Sequence, residues 1–411
     1  MSSPALGVAA PVTVIVVDDS TVQRRLLRGL IEADHDLTVV GEARTGKEAV
    51  ALVERLRPGV VLMDLDLPVM NGIEAIEKIM AVHPTPILVY SAFVDGTSNA
   101  NGVAAIAAGA VDVIAKPSAG SNETPDVYGD ALRKRLRVAS RVRVITHPRA
   151  RLRPRAVPFD ETAVTDGHAV APTATNGVVP TSIAPTATNG VAPTAVRQRP
   201  AATAAPVSRL IRGSVPVRQI DLIAIGVSTG GPQALVHLLG SLPPDLRQAV
   251  VVVQHMADGF LQGLADWLGT QCVLPVVLGQ KGHKLEPGQV TIAPGGHNMI
   301  IGDRLRVSLE VPPPGQFHVP GIDACFTSIA NHVGSTAIGV ILTGMGRDGA
   351  AGLKLMRENG AVTIGQDEAT CAVYGMPAAA MAIGAVEHEL PLLDIAPMMM
   401  RTIGHASAGV S

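Results

Sequence analysis

Three residues in the C-terminal half are of types that could do nucleophilic chemistry. Ser228 lies in Gly226-Val-Ser-Thr-Gly-Gly231, His255 follows the apolar run Ala249–Val253 and Gln254, and Asp348 lies in Thr343-Gly-Met-Gly-Arg-Asp-Gly349. Gly226-x-Ser228-x-Gly230 fits the nucleophile-elbow pattern, which holds a serine on a sharp strand-to-helix turn. A serine there stands beside the N–H groups of a helix N-terminus, which can stabilise an oxyanion. Ser228 would attack a carbonyl, His255 would take its proton, and Asp348 would orient and stabilise the imidazolium. Each also has a plain structural reading. Ser228 and Asp348 could cap helices, and His255 could be a satisfied core histidine.

The elements needed to position these residues are legible. Leu222–Ile225 is a short apolar run that reads as a buried strand. Pro232 then sits where a first-turn proline is tolerated, and Leu235, Leu238 and Leu239 continue at helical spacing. Ala249–Val253 and Thr336–Leu342 read as further strands, followed by a helix with Leu353, Leu355 and Met356 and a strand Val362–Ile364. The three strand ends fall on one sheet edge. Two other patterns compete. Gly344-x-Gly346-x-x-Gly349, with Asp367 further on, meets the dinucleotide fingerprint but leaves Ser228 and His255 without roles. An α/β-hydrolase orders its triad Ser, Asp, His. Here the best histidine precedes the best aspartate, and His388 and His405 lie in poorly patterned sequence. His283, His297, His318 and His332 show no metal-binding spacing and read as structural or surface residues.

The N-terminal third repeats strand and helix. Thr13–Val17, Leu37–Val40, Val60–Met63, Pro86–Tyr90 and Val111–Ala115 read as strands, with helices at Val22–Leu30, Lys47–Leu56 and Ile73–Met80 between them. This alternation suits a parallel doubly wound sheet. Polar residues follow four of these strands: Asp18 and Asp19, Asp64, Ser91, and Lys116. Ligands of open α/β sheets bind at such carboxyl ends. Three carboxylates that close need a cation, and their oxygens suit magnesium. Lys116 can hold an anion to which Ser91 donates a hydrogen bond.

Length and composition set the frame. A chain of 411 residues with 47% hydrophobic and 17% charged residues can build two or three buried cores. Aromatics are only 2%, which suits aliphatic α/β packing. A net charge of −2 gives no sign of a nucleic-acid or membrane partner. Three widely spaced cysteines exclude a disulfide framework, and no stretch is long and apolar enough to span a membrane, so a cytoplasmic protein is expected. Residues 131–144 place Leu132, Leu136, Ala139 and Val142 at helical spacing, with Arg133, Lys134, Arg135, Arg137, Arg141 and Arg143 on the other face. That face reads as solvated, because no DNA-reading module follows. Residues 147–215 are rich in Pro, Ala and Thr, and PTATNGV occurs twice, at 172–178 and 185–191. They read as a long disordered linker.

Two stretches carry family resemblances. VVDDS, MDLDLPVMNG, the serine after ILVY and the lysine of AKP resemble the receiver domain of two-component response regulators, over residues 12–146. The resemblance implies that Asp64 accepts a phosphoryl group from a histidine kinase. It also implies that Asp19, Asp64 and the backbone carbonyl of Asp66 hold magnesium, with Asp18 acting through water. Val113 stands where many receivers carry an aromatic switch residue, so an aromatic-flip readout is not expected. GVSTGGPQAL, VVVQHM, TIAPGGHNM, ILTGMGRDGAAG and QDEATCAVYGMPAAA resemble the catalytic domain of chemotaxis protein-glutamate methylesterases, over residues 216–402. That family removes methyl esters from glutamates of chemoreceptor helices and deamidates glutamines there. Ser228, His255 and Asp348 fall on its triad positions. The N–H of Met345 falls on an oxyanion-hole position, with Thr229 beside the nucleophile.

Two departures are the length of the linker and GIDACF in place of a serine-containing segment around Ile322. The expected architecture is two doubly wound α/β domains, a flavodoxin-like receiver and a Rossmann-like methylesterase domain. The expected protein is a monomeric, phosphorylation-activated serine hydrolase whose esterase site needs no cofactor. The rival reading is a response regulator whose C-terminal domain only binds a partner.

Overall fold

The computed structural model describes residues 10–91, 97–117, 124–142, 144, 216–316 and 318–405. The 147–215 segment and Arg143 lie outside the described residues. The N-terminal half alternates β1 (Val12–Val17), α1 (Thr21–Glu32), β2 (Leu37–Ala43), α2 (Gly46–Leu56), β3 (Val60–Met63), α3 (Gly72–Val82), β4 (Ile87–Ser91), α4 (Thr97–Ala107), β5 (Asp112–Ala115) and α5 (Pro125–Ala139). Its five strands are parallel, in the order β2-β1-β3-β4-β5. Local capping fixes the helix starts. The side chains of Ser20, Thr45 and Asn71 accept from the N–H groups of Gln23, Glu48 and Glu74. β3 is buried along its whole length, which is why a four-residue apolar run suffices to mark it.

The C-terminal half contains β6 (Leu222–Val227), α6 (Gly231–Gly240), β7 (Ala249–Gln254), α7 (Leu261–Gln271), β8 (Val276–Leu278), β9 (Val290–Ile292), β10 (Asn298–Gly302) and β11 (Arg306–Glu310). It continues through α8 (Ile322–His332), β12 (Ala337–Ile341), α9 (Ala350–Glu358), β13 (Val362–Gln366), α10 (Met376–Ala382), β14 (His388–Leu390) and α11 (Leu392–Thr402). Seven strands form a second parallel sheet, ordered β14-β13-β12-β6-β7-β9-β8, and β10 and β11 form a separate antiparallel pair.

Alternation along the central strands builds a core on each face of this sheet. Ile223, Ile225 and Val227 of β6 join Val250 and Val252 of β7 on one face. Leu222 and Ala224 join Val251 and Val253 on the other, against Ile322, Phe326 and Ile329 of α8. Each fully buried Val, Leu or Ile contributes about 1.5–3 kcal/mol, so these strands anchor the loops at their ends. β6 lies between β12 and β7, where the strand order reverses. Such a reversal opens a crevice at the carboxyl ends of the strands.

Three arginines of the basic face of α5 are paired within the fold, and Arg133 is buried where a solvated face was expected, while Lys134 is exposed. Arg133 pairs with Asp34 and Asp130, Arg137 with Asp34 and Asp36, and Arg135 with Asp112. The three cysteines are free. Among the described residues no helix is long and apolar enough to cross a membrane.

Candidate active site

Ser228, His255 and Asp348 all follow strands of the reversal point. β6 and β7 pair with Val227 opposite Gln254, so Ser228 and His255 come next in register on adjacent strands. The His255 N–H donates to Val227 O at 3.0 Å, and the Ser228 N–H donates to Thr343 O at 3.0 Å, tying in the loop after β12. Gly230 then takes φ +77° and caps α6. Gly344 crosses so close that a Cβ built on it would lie 2.5 Å from Ser228 Cβ. Only glycine lets this backbone approach Ser228 so closely.

His255 and Asp348 are joined by a 2.7 Å hydrogen bond from Nε2 to Oδ2. A carboxylate only accepts, so Nε2 carries the proton and Nδ1 is the basic nitrogen. Nδ1 is buried and has no hydrogen-bond partner among the described residues. No hydrogen bond joins it to Ser228 Oγ, a link that in free enzymes often tightens only when substrate binds.

Asp348 is held from three further directions. Its Oδ2 accepts from the Ile322 N–H at 2.8 Å, and its Oδ1 accepts from the N–H groups of Asp323 at 2.9 Å and Gly349 at 3.0 Å. The first two donors belong to the first turn of α8, whose dipole favours a negative charge. Burial alone would raise the Asp348 carboxyl, but the hydrogen bond and charge of His255 and these N–H groups hold it down, at about 2. The neighbouring Asp323 carboxyl is pushed the other way, by burial and by the Asp348 charge.

Two residues beyond the expected set complete the geometry. Gln254 is buried, and its Nε2 donates to both Ser228 O and His255 O at 3.0 Å. It therefore fixes the spacing of the Ser228 and His255 backbones. A glutamine closing an otherwise apolar strand was the available signal, since buried amides must find partners. His318, expected to be structural or surface, is half-buried and stacks on His255, with centroids 4.3 Å apart and planes within 5°. Burial, then the adjacent His255, push His318 down to about 4, so it is neutral at pH 7. No sequence signal marked it, because its loop has no periodicity. Of the other histidines, His283 contacts Gln289, His332 pairs with Asp303, and His297 is exposed.

The loop of the glycine fingerprint does lie between β12 and α9, as that pattern requires. It carries Asp348 to His255, and Asp367 closes a turn by accepting from the Thr370 N–H and hydroxyl. The N–H groups of Met345 and Thr229 make no hydrogen bond among the described residues, which leaves them available as donors.

At the first sheet, Asp18, Asp19 and Asp64 each offer an oxygen within 4.8 Å of the others. Lys116 Nζ donates to Asp64 Oδ2 at 2.7 Å and to Asp18 Oδ2 at 2.9 Å. Burial pushes the Asp64 carboxyl up, against the opposing pull of Lys116. The same two hydrogen bonds outweigh burial at Lys116 and raise its pKa. Ser91 is buried at the end of β4, and its carbonyl accepts from the Lys116 N–H at 2.8 Å. Asp66 is exposed. Val113 is buried in β5.

Comparison with known proteins adds a second line of observation. The profile of the CheB methylesterase family matches residues 223–399, and that of the response regulator receiver domain matches residues 14–123. A protein-glutamate methylesterase/protein-glutamine glutaminase from Paramagnetospirillum magneticum is 37% identical over 408 residues, covering 99% of each chain. One from Anaeromyxobacter dehalogenans is 36% identical, covering 96% of this chain and 97% of the relative. The chain belongs to the CheB family. It is therefore a response regulator joined to a carboxylic-ester hydrolase, and the reading as a regulator that only binds partners falls away. The crystal structure of the Thermotoga maritima CheB methylesterase catalytic domain is 33% identical, covers 44% of this chain and 97% of its own, and superposes with a TM-score of 0.43.

The two CheB halves also touch beside Ser228. Thr229 Oγ1 donates to Asp112 Oδ2 at 3.2 Å, and Gln233 Nε2 donates to Ile106 O at 2.9 Å. Asp112 Oδ2 also accepts from Arg135 at 3.1 Å. Ser228 is 7% exposed and His255 6%.

Proposed function

We propose that this CheB protein is a phosphorylation-activated enzyme of the cytoplasm. It removes methyl esters from glutamate side chains of methyl-accepting chemoreceptors, releasing methanol, and deamidates receptor glutamines at the same site. The observation that carries the reading is the His255–Asp348 hydrogen bond, set one register step from Ser228 at the reversal point of the sheet.

Ser228 Oγ attacks the ester carbonyl as His255 Nδ1 takes its proton. The N–H of Met345, with Thr229 beside it, receives the oxyanion. Collapse expels methoxide, which leaves as methanol with the proton from His255. Water then repeats the sequence on the acyl-serine and frees the glutamate. With a glutamine substrate the leaving group is ammonia.

In the receiver, Asp64 is the phosphoacceptor, supplied by a chemotaxis histidine kinase. The oxygen-only cluster of Asp18, Asp19 and Asp64 fits a hard divalent cation, with the backbone carbonyl of Asp66 as a further ligand. Bound magnesium would neutralise charge on the transferred phosphoryl oxygens. Lys116 and Ser91 hold the phosphoryl group on Asp64. Before phosphorylation, the receiver occludes the esterase site through the Asp112 and Ile106 contacts.

The test is methanol release from methylated receptor. Ser228→Ala should lower turnover ~10⁴-fold or more with the fold intact. Near-normal release would remove the triad.

A further inference from the structure

We infer that His318 is a positioning residue for the general base: its ring plane holds His255 in the orientation that serves Ser228. This rests on the triad reading above and adds to it a residue outside the triad.

The need for such a residue follows from the His255 surroundings. A histidine χ2 is a broad, roughly two-fold torsion, so the ring does not hold its own plane. Nε2 has one bond, to Asp348, and Nδ1 has no partner among the described residues. One hydrogen bond leaves the ring free to pivot about it. Among the neighbours that enclose this buried ring, the one lying parallel to its plane is His318, at 4.3 Å. Pivoting His255 out of plane would drive its edge into that face. Neither His318 nitrogen makes a hydrogen bond among the described residues, so it acts by its face and not as an acid or base of the triad.

The loop that presents His318 is itself clamped. Asn298 and Gln316 exchange reciprocal amide hydrogen bonds, each 2.9 Å, and Gln316 Nε2 also donates to the His318 carbonyl at 2.6 Å. Asn298 Oδ1 accepts from the Gly321 N–H at 2.8 Å, where the chain enters α8. A Cβ on Gly321 would lie 2.6 Å from Gln316 Nε2, so glycine makes room for the clamp. Asn298 is 5% exposed, and its amide has no solvent to fall back on. The same stretch therefore supplies the donors for Asp348 and the plane for His255.

Charge fits the role. The groups that bear on His318 are His255, Asp348, and Arg135 and Lys134 of α5. Burial, with three of these four, keeps the ring neutral. When His255 takes the serine proton, it becomes an imidazolium lying against a neutral π face, which attracts it. A protonated His318 would repel it.

The test uses the full chain, methylated receptor as substrate, and four variants: His318→Ala, His318→Leu, His318→Phe and Ser228→Ala. His318→Ala should lower kcat about 10–100-fold, the scale of a small misplacement of a catalytic group, with KM little changed. His318→Phe restores a planar face and should recover most of the rate. His318→Leu, of similar bulk but not planar, should not. The downfield proton resonance of the His255–Asp348 hydrogen bond should broaden in the Ala and Leu variants and persist in the Phe variant. Full kcat in His318→Ala, equal rescue by Leu and Phe, or no rescue by Phe each overturns the inference. If Ser228→Ala is dead while the His318 variants are normal, the inference alone fails. If Ser228→Ala is active, the triad reading fails first.

Discussion

Replacing Asp348 by asparagine separates the two tasks this carboxylate performs. The carboxylate accepts from His255 Nε2, two N–H groups of the first turn of α8, and the Gly349 N–H. Asparagine keeps the shape but has a single acceptor oxygen. Turned to α8, its amide nitrogen meets His255 donor to donor. The imidazole then moves its proton to Nδ1, the atom that must be basic, and turnover should fall by about 10⁴-fold, as wrong-tautomer variants of serine hydrolases do. The stability cost follows from the native carboxyl lying at about 2 instead of its ordinary 3.8. Because the side chain is only 18% exposed, little of this is lost to solvent, and it corresponds to about 2 kcal/mol. The folded value is depressed, so the stabilisation is whole above pH 4 and disappears as pH falls towards 2. Methanol release measures the first task. Urea unfolding of both proteins at pH 7, 4 and 2.5 measures the second: the gap should be full at pH 7 and smallest at pH 2.5. Turnover within about tenfold of the parent, or a gap that does not narrow in acid, would refute the reasoning.

Three further outcomes are expected. With magnesium and a small phosphodonor, borohydride trapping and mass spectrometry should find the acyl phosphate on Asp64, and chelation should abolish it; finding it on Asp66 would overturn the assignment. Gly344→Ala places a methyl 2.5 Å from Ser228 Cβ, so methanol release should be lost and the melting temperature should drop; an active variant would show that the loop after β12 can retreat. Asp112→Ala removes the acceptor of Thr229 Oγ1 and should raise the basal esterase rate of unphosphorylated protein several-fold; an unchanged rate would mean that this contact does not hold the site closed.

Much of the framework was legible because parallel strands are apolar on both faces. Val60–Met63 and Ala249–Val253 need no periodicity to stand out, and the polar residues after them mark the sheet edge. Elements with weaker contrast were not legible. α4 reads Thr-Ser-Asn-Ala-Asn-Gly-Val-Ala-Ala-Ile-Ala, small and polar at its start. β8 and β9 have three residues each, and the β10–β11 pair was also missed. The site divides the same way. Ser228, His255 and Asp348 sit immediately after strands or on the turn into a helix, where chain direction places them. His318 and the α8 donors to Asp348 come from a separate stretch whose path is set by packing, so no spacing in the sequence connects them to the triad.

The contacts between the two halves bear on how strongly the proposed phosphorylation would have to act. Thr229–Asp112 and Gln233–Ile106 are single hydrogen bonds, each worth about 1 kcal/mol net. Ile106 and Phe260 belong to one buried cluster that extends across both halves, which adds an apolar term. A closed state held by a few such contacts lies a few kcal/mol below an open one, and a ligand can shift that balance only by its differential affinity for the two. Phosphorylation at Asp64, as proposed, would supply such a difference through β5. Lys116, bonded to Asp64, follows the strand that Asp112 begins. On the proposed reading, a phosphoryl group on Asp64 would draw Lys116 away from the carboxylate it now holds, and β5 would carry the shift to the carboxylate that grips Thr229. Asp112 is also tied to α5 through Arg135, so strand and helix move that acceptor together. Thr229, beside Ser228, is thus the point at which the proposed phosphorylation of the receiver would be felt.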